Sequence, residues 1–254
     1  MKLPTNRFKA ALRERQQIGV FSTLASSALV ELLAGCGFDW ILLDTEHSPN
    51  ELGDVVSQLQ AASAQPASMI VRPAWSDMIL VKRLLDMGAQ TLLFPSIGCA
   101  AEAAAAVSFT RYPPHGVRGV SGSTRAASYG LDTSYLRNAQ HEICVIVQIE
   151  TVEGLRNLES IAAVDGVDAL FIGPADLAAS MGHLGNAQHP EVQGAIDDAF
   201  ARIRAAGKPA GYLTLNEEEA KRRIADGVEF IAVAIDTSLL TRGAASLLQR
   251  VAAR

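Results

Sequence analysis

The chain has 254 residues, 49% hydrophobic and 19% charged, with a net charge of -5. A chain of this length buries a large core without disulfides, and an acidic one has no general electrostatic attraction for nucleic acid or an anionic membrane. Cys36, Cys99 and Cys144 are too widely spaced for a disulfide framework or a zinc motif. No charged-then-apolar leader opens the chain and no apolar run is long enough for a bilayer, so a soluble, cytoplasmic protein is expected.

In chain order, residues 5–12 read as a short amphipathic helix lying across one end of the fold. Strand-like runs follow at 18–24, 40–44, 69–72, 91–95, 144–150, 169–173, 210–213 and 230–235. Most are continuous apolar runs of about five residues, as parallel strands buried on both faces require. Helical patterns fill the gaps at 27–37, 50–64, 77–87, 100–110, 152–164, 191–206, 216–225 and 238–253. Asp77 and Asn216 stand at N-cap positions, and Gly88, Gly207 and Gly227 where helices stop.

Eight strands, each followed by a helix, predict a single (β/α)8 barrel over residues 1–254. A doubly wound open sheet is the competing architecture, but no GxGxxG follows the first strand. The long connection at 111–142, with Pro113-Pro114 and a short helical piece at 134–138, is a candidate functional loop.

In such barrels chemistry sits at the C-terminal ends of the strands. Strand two ends in Asp44-Thr45-Glu46-His47, strand three in Arg72-Pro73, strand five in Gln148-Ile149-Glu150, and strand six in Gly173-Pro174-Ala175-Asp176. Singly, each has a bland reading. Asp44 and Asp176 could cap loops or helices, His47 could be a loop histidine, and Arg72 could form a surface ion pair. Glu150, directly behind an apolar strand, needs a cation or donors. Two carboxylates at one mouth, with water and a chelating substrate, suit a hard divalent cation such as Mg²⁺ or Mn²⁺, and Co²⁺ is a further candidate for the same site. The turn at 174–176 opens towards a helix, and its free N–H groups, at Ala175 and Asp176, could hold a substrate carboxylate. His183 and His189 lie in a loop and read as surface residues. The lysines, Lys2, Lys9, Lys82, Lys208 and Lys221, avoid the strand ends, which disfavours a Schiff base.

The segments Gly35-Cys-Gly-Phe-Asp-Trp-Ile-Leu-Leu-Asp44-Thr-Glu-His47, Leu84-Leu-Asp86-Met-Gly88, Arg111-Tyr-Pro-Pro-His-Gly-Val-Arg118-Gly119, Val147-Gln148-Ile149-Glu150-Thr151 and Phe171-Ile-Gly173-Pro174-Ala-Asp176-Leu resemble the HpcH/HpaI aldolases in order, over roughly residues 8–240. The resemblance implies a barrel of the phosphoenolpyruvate/pyruvate-domain type and class II, metal-dependent aldol cleavage of a 4-hydroxy-2-oxo acid to pyruvate and an aldehyde. It implies Glu150 and Asp176 as metal ligands and Arg72 as the group polarising the keto oxygen. It makes His47 the base and Asp86 its orienting carboxylate, with a metal-bound water as the alternative base. Gln148 then lies beside the metal, Ala175 and Asp176 cradle the carboxylate through backbone N–H groups, and Leu213 lines the substrate. Phe21 stands where some relatives carry Trp, which bears on aldehyde preference. A homo-hexamer, a trimer of dimers with the last helix exchanged, is implied as well. The other readings are a carbon–carbon lyase of the citrate lyase β or malyl-CoA type and a non-catalytic barrel that binds an oxo acid.

Overall fold

In a computed structural model, which describes residues 4–252, eight parallel strands close into one barrel in sequence order. They are β1 (Gln17–Ser22), β2 (Trp40–Asp44), β3 (Ser68–Arg72), β4 (Thr91–Phe94), β5 (Cys144–Ile149), β6 (Ala169–Ile172), β7 (Ala210–Leu213) and β8 (Phe230–Ile235). β8 pairs with β1 through Gln17↔Phe230 and Ile18↔Ile231, with a register shift between Gly19 and Phe21. The expected strands are therefore all present, most ending within two residues of the predicted bounds.

The helices are α1 (Arg7–Ala11), α2 (Ser27–Gly35), α3 (Leu52–Ala61), α4 (Met78–Asp86), α5 (Ala100–Thr110), α6 (Tyr135–Glu142), α7 (Val152–Arg156), α8 (Leu158–Ala162), α9 (Pro174–Ser180), α10 (Pro190–Ala205), α11 (Glu217–Ala225) and α12 (Asp236–Ala252). The expected helix at 152–164 is two short helices, because Asn157 leaves helical geometry at φ -97°, ψ 8°. Its side chain donates instead to the Gly98 carbonyl, at 2.8 Å. The predicted end of the last helix at Ala253, like Lys2, lies outside the described residues. No helix among the described residues is long and apolar enough to cross a membrane.

Two apolar layers hold the barrel together. The outer one lies between strands and helices, where residues such as Ile41, Leu43, Val145 and Val147 meet Val30, Val81 and Ile196. The inner one fills the barrel with rings. Phe8 of α1 enters from the N-terminal end and meets Trp40 and Phe230 edge-on, at 6.2 and 5.4 Å. Phe21 and Phe171 stack above them, 6.1 Å apart. Asn6 fixes the plug: it caps α1 and donates to the Gln90 and Glu142 carbonyls.

Large rings need small neighbours in a closed barrel. A Cβ at Gly19 would lie 2.1 Å from Trp40 Cδ2, and one at Gly211 would lie 2.2 Å from Phe230 Cε2. Both rings are fully buried and cannot step aside. Gly19→Ala is therefore expected to lower stability by about 1–3 kcal/mol or more, the range for overpacking a core. Gly53→Ala in α3, where a Cβ meets nothing within 4 Å, should raise it by about 0.5–1 kcal/mol. Urea denaturation of the two variants checks the contrast, and equal effects would contradict this account of the core.

Candidate active site

Parallel register brings the polar strand ends together. Asp44 and Arg72 are directly paired residues on β2 and β3, so both side chains emerge on the same side of the sheet. Arg72 donates from Nε and Nη2 to the two Asp44 carboxylate oxygens, each at 2.8 Å. This fork-to-fork pair is the strongest geometry open to the two groups. Asp44 also accepts from the backbone N–H of Glu46 at 3.1 Å, and its carbonyl accepts from Asn50 Nδ2 at 2.8 Å. The β2 turn thus wraps around Asp44 and presents Glu46 and His47.

Glu46 lies on the other side of the guanidinium, with Oε2 2.8 Å from Arg72 Nη1. Oε2 is buried and makes no hydrogen bond, so this contact is charge to charge rather than an aligned hydrogen bond. Burial pushes the Glu46 pKa above its ordinary value, and the charge of Arg72 offsets this only in part. Burial also works against the charge on Arg72. Hydrogen bonding and attraction from Asp44, with Glu46 and Glu150 adding, outweigh it and raise the Arg72 pKa. His47 stays open to solvent, its side chain 65% exposed, with Nε2 3.8 Å from Glu46 Oε1.

Across the mouth, Glu150 is buried. Its Oε1 accepts from the Ser96 backbone N–H at 2.6 Å and from Ser96 Oγ at 3.1 Å. Ser96 holds this position in the left-handed region, φ +55°. That conformation is uncommon for a non-glycine residue. Gln148 Nε2 donates to the other Glu150 oxygen, while Gln148 Oε1 is buried without a partner. Burial raises the Glu150 pKa, the Ser96 N–H lowers it, and Asp176 and Glu46 raise it again, with a net upward shift. Gly173 leaves the space that Glu150 occupies, since a Cβ there would lie 2.7 Å from both Glu150 Oε2 and Gln148 Nε2. The chain then turns into α9 with Pro174 in its first turn. The first-turn N–H groups of Ala175 and Asp176 have no partner within the helix, and Asp176 itself is exposed.

One cavity of about 420 Å³ lies here, lined by Phe21, Asp44, His47, Arg72, Gln148, Gly173, Pro174, Ala175, Asp176 and Leu213, with Thr23, Phe171, Ile235 and Thr237. The Phe21 ring forms its floor beneath Arg72, whose guanidinium carbon sits 5.5 Å from the ring centre. No lysine of the described residues lines this cavity. A second hollow of about 370 Å³, between Gly88, Arg125, Tyr129 and Tyr135, gathers neither a carboxylate nor a histidine.

The donor set fits a hard divalent cation. Glu150 is a buried carboxylate with a raised pKa, coupled to Asp176, and both its oxygens already face donors rather than a counter-charge. The orphaned Gln148 Oε1 adds a neutral oxygen beside them. An all-oxygen set of this kind matches magnesium or manganese rather than a soft metal.

One expected residue is not brought to this mouth. Asp86 ends α4, and its Oδ1 accepts from Arg118 Nη2 at 2.8 Å. Arg118 is fully buried against Tyr112, 4.5 Å from that ring, and also donates to Tyr135 Oη. Within one chain Asp86 is therefore not His47's partner. Three contributors receive no role from the strand-end pattern. Glu46 reads only as part of a motif, Ser96 comes after an apolar strand with no charge to mark it, and Asp44 looks like a cap. Asp236 carries no sequence signal either. It accepts from Ser22 Oγ, the Thr23 and Leu24 N–H groups, and Thr23 Oγ, and so ties the end of β8 to that of β1.

Residues 17–243 match the family model for HpcH/HpaI aldolase/citrate lyase. The chain belongs to this family. It is 54% identical over 247 residues to a 4-hydroxy-2-oxo-heptane-1,7-dioate aldolase of Klebsiella pneumoniae, a match covering 96% of this chain and 93% of that one. It is 53% identical over 253 residues to a pyruvate aldolase of Rhizobium etli, covering 99% and 100%. A crystal structure of a family protein from Burkholderia cenocepacia superposes with a TM-score of 0.95 at 42% identity, covering 97% of this chain and 99% of that chain. The (β/α)8 barrel is the fold of the HpcH/HpaI aldolases, and the protein is an aldolase of the lyase class.

The raised Glu150 pKa has a consequence for the metal-free protein. A carboxyl that binds its proton more tightly when folded stabilises the fold at low pH and loses that contribution as pH rises through the folded value. Glu150→Gln removes this dependence, and its carbonyl can still accept from Ser96. EDTA-treated Glu150→Gln should gain thermal stability over wild type as pH rises from 4 to 8, with the gap closing near the ordinary carboxylate pKa of about 4.3. A gap that stays constant across that range would contradict a raised Glu150 pKa.

Proposed function

We propose that this aldolase is metal-dependent and cleaves 4-hydroxy-2-oxo acids to pyruvate and an aldehyde, with 4-hydroxy-2-oxoheptanedioate or 2-dehydro-3-deoxyglucarate as the type of substrate. The observation that carries this reading is the meeting of a buried, carboxylate-clamped Arg72 with Asp176 and Gln148 at one cavity, with Glu150 buried directly behind that Gln148. Relatives more than half identical to the chain are named aldolases, which favours this reading over a lyase acting on CoA thioesters.

Each residue then has a task. The Ala175 and Asp176 N–H groups hold the substrate carboxylate at the start of α9. Gln148 lies beside the 2-oxo group, and Leu213 and Phe21 bound the aldehyde side. Glu150 and Asp176 would hold a divalent cation, which would supply stabilisation for the negative charge that develops in cleavage. Arg72 donates to the 2-oxo oxygen from the N–H groups that Asp44 leaves free. In cleavage, His47 takes the proton of the 4-hydroxyl. The C3–C4 bond breaks, its electrons pass to C3 and the 2-oxo oxygen, and the aldehyde leaves. Protonation of C3 then gives pyruvate. Because negative charge grows on that oxygen only as the bond breaks, Arg72 acts mainly on the transition state.

Asp86 needs a neighbour. It stands on Arg118, away from the mouth of its own barrel, so pairing with His47 requires Asp86 from another subunit. α12 supports an oligomer independently. Only Asp236 of its 17 residues is buried, while Leu239, Leu240, Leu247, Leu248 and Val251 are exposed. A stripe of this size on a monomer is unusual and marks a contact surface. We therefore assign a cytoplasmic homo-oligomer, a hexamer by family likeness.

Pyruvate release from a 4-hydroxy-2-oxo acid tests the activity. EDTA should abolish it and Mg²⁺, Mn²⁺ or Co²⁺ should restore it, whereas full turnover by metal-free protein would end the class II assignment. Arg72→Ala should slow cleavage by about 10²–10³-fold, the scale for losing one such donor. Arg72→Lys should stay impaired, because it loses the fork that grips Asp44. Exchange of pyruvate methyl protons, which needs no aldehyde, should fall in parallel. Exchange at the wild-type rate would make Arg72 an aldehyde-positioning residue. His47→Ala should cost about 10²-fold. Mixed oligomers of His47→Ala and Asp86→Ala chains should recover part of the lost activity, and no recovery would place Asp86 outside the reaction.

A further inference from the structure

The loop between α9 and α10 does something the sequence did not suggest. His183 and His189, expected as separate surface residues, stack face to face with ring centres 3.7 Å apart and planes 15° from parallel. Glu191 closes the group, with His183 Nε2 2.9 Å from its Oε2. One ligand atom from each of the three residues lies within 4.8 Å of the others. None of the three lines the catalytic cavity.

We propose that His183, His189 and Glu191 form a second metal site, one for a borderline transition-metal ion of the zinc type. The chemistry separates it from the oxygen set at the barrel mouth. Two imidazoles and a carboxylate suit zinc, copper or nickel, and magnesium has little affinity for imidazole. The spacing is close to what coordination needs. With bonds of about 2.0–2.2 Å in a tetrahedral site, neighbouring donor atoms stand roughly 3.3 Å apart, and the His183–Glu191 pair is already at 2.9 Å. The ion takes the place of the proton between those two atoms.

The stacked rings lie nearly parallel, so a shared ion requires them to tilt towards each other. His189 Nδ1 accepts from the Glu191 backbone N–H at 3.3 Å, as the N-cap of α10, so its in-plane lone pair already faces Glu191. That contact is long, and coordination replaces it at small cost. The remaining positions of the ion are open to water, since Glu191 is exposed, with 71% of its side chain in solvent.

The backbone gives the site a rigid frame on both sides. His183 N–H donates to the Ala178 carbonyl at the end of α9, at 2.7 Å, and His189 begins the 16-residue α10. A bound ion therefore fastens the loop that joins the two helices. α9 is the helix whose first turn carries Ala175 and Asp176.

Titration of Zn²⁺ into the protein, followed by calorimetry, tests the site. The Glu150→Gln/Asp176→Asn chain, with excess Mg²⁺ present, should still take up one Zn²⁺ saturably. Adding His183→Ala or His189→Ala should weaken that uptake by at least about tenfold, and Glu191→Gln should weaken it less. Cu²⁺ on the same chain should give an electron paramagnetic resonance spectrum with two nitrogen ligands, reduced to one by His189→Ala. Circular dichroism of the exposed-loop variants confirms that each is folded, and His183→Gln repeats the measurement with a smaller change of volume. Absence of saturable Zn²⁺ uptake, or uptake unchanged by the histidine variants, overturns the proposal. The outcome is independent of the catalytic reading. If Glu150 and Asp176 hold no ion, wild type binds a single Zn²⁺ whose uptake the histidine variants still weaken.

Discussion

An arginine only 6% exposed cannot remain charged without nearby anions, and Arg72 has them on two sides. Asp44 takes its fork in a planar, bidentate pair, and Glu46 stands against the third nitrogen. Much of the mouth of this barrel depends on that arrangement. Separating a buried ion pair leaves an uncompensated charge and is strongly destabilising, so Asp44 and Arg72 hold the ends of β2 and β3 in register. Asp44 in turn organises the turn that presents Glu46 and His47. One buried cation thus fixes the position of His47, a second carboxylate and its own free donors.

The floor beneath the pair matters as much. Phe21 and Phe171 raise the interior of the barrel to the level of the strand ends, so that Arg72 lies on an aromatic face rather than over an empty lumen. Phe8, Trp40 and Phe230 support that layer from below. Gly19 and Gly211 are the concession that such wide rings require. The candidate cavity therefore sits on a packed core. Its polar groups face a low-dielectric base, which strengthens every charge interaction above it. The same burial pushes Glu150 and Glu46 towards holding protons, a tendency that a bound divalent cation would reverse.

Much of the fold was legible in the sequence because buried parallel strands carry an apolar run that little else in a soluble chain produces. Trp40–Asp44, Ala210–Leu213 and Phe230–Ile235 could be read residue for residue. Where the pattern misleads, side chains compete with the backbone. Asn157 breaks the α7–α8 pair by donating to a carbonyl on another loop, and α9 hides behind a proline that looks only like a turn. Of the site, Arg72, His47, Gln148, Ala175, Asp176 and Leu213 line the cavity, with Glu150 beside Gln148. Ser96 was invisible because its task is done by a backbone N–H in a left-handed turn.

The sequence by itself determined the strand order, the end of the barrel where polar groups gather, and the residue types that meet there. Those depend on local pattern: the hydrophobic period, the helix and strand breakers, and the polar residues that close each apolar run. It could not determine which charges touch. The family resemblance pairs Asp86 with His47, yet within one chain Asp86 accepts from Arg118 at the end of α4. His183 and His189 look like unrelated loop residues, yet their rings stack. Glu46 looks like a spacer between Asp44 and His47, yet it faces the guanidinium. Pairings of this kind are set by barrel register and loop path, which bring together residues far apart in sequence or turn near neighbours towards each other. Only the tertiary structure carries that information, because the energy of a charge or a ring depends on its distance and burial and not on its place in the chain.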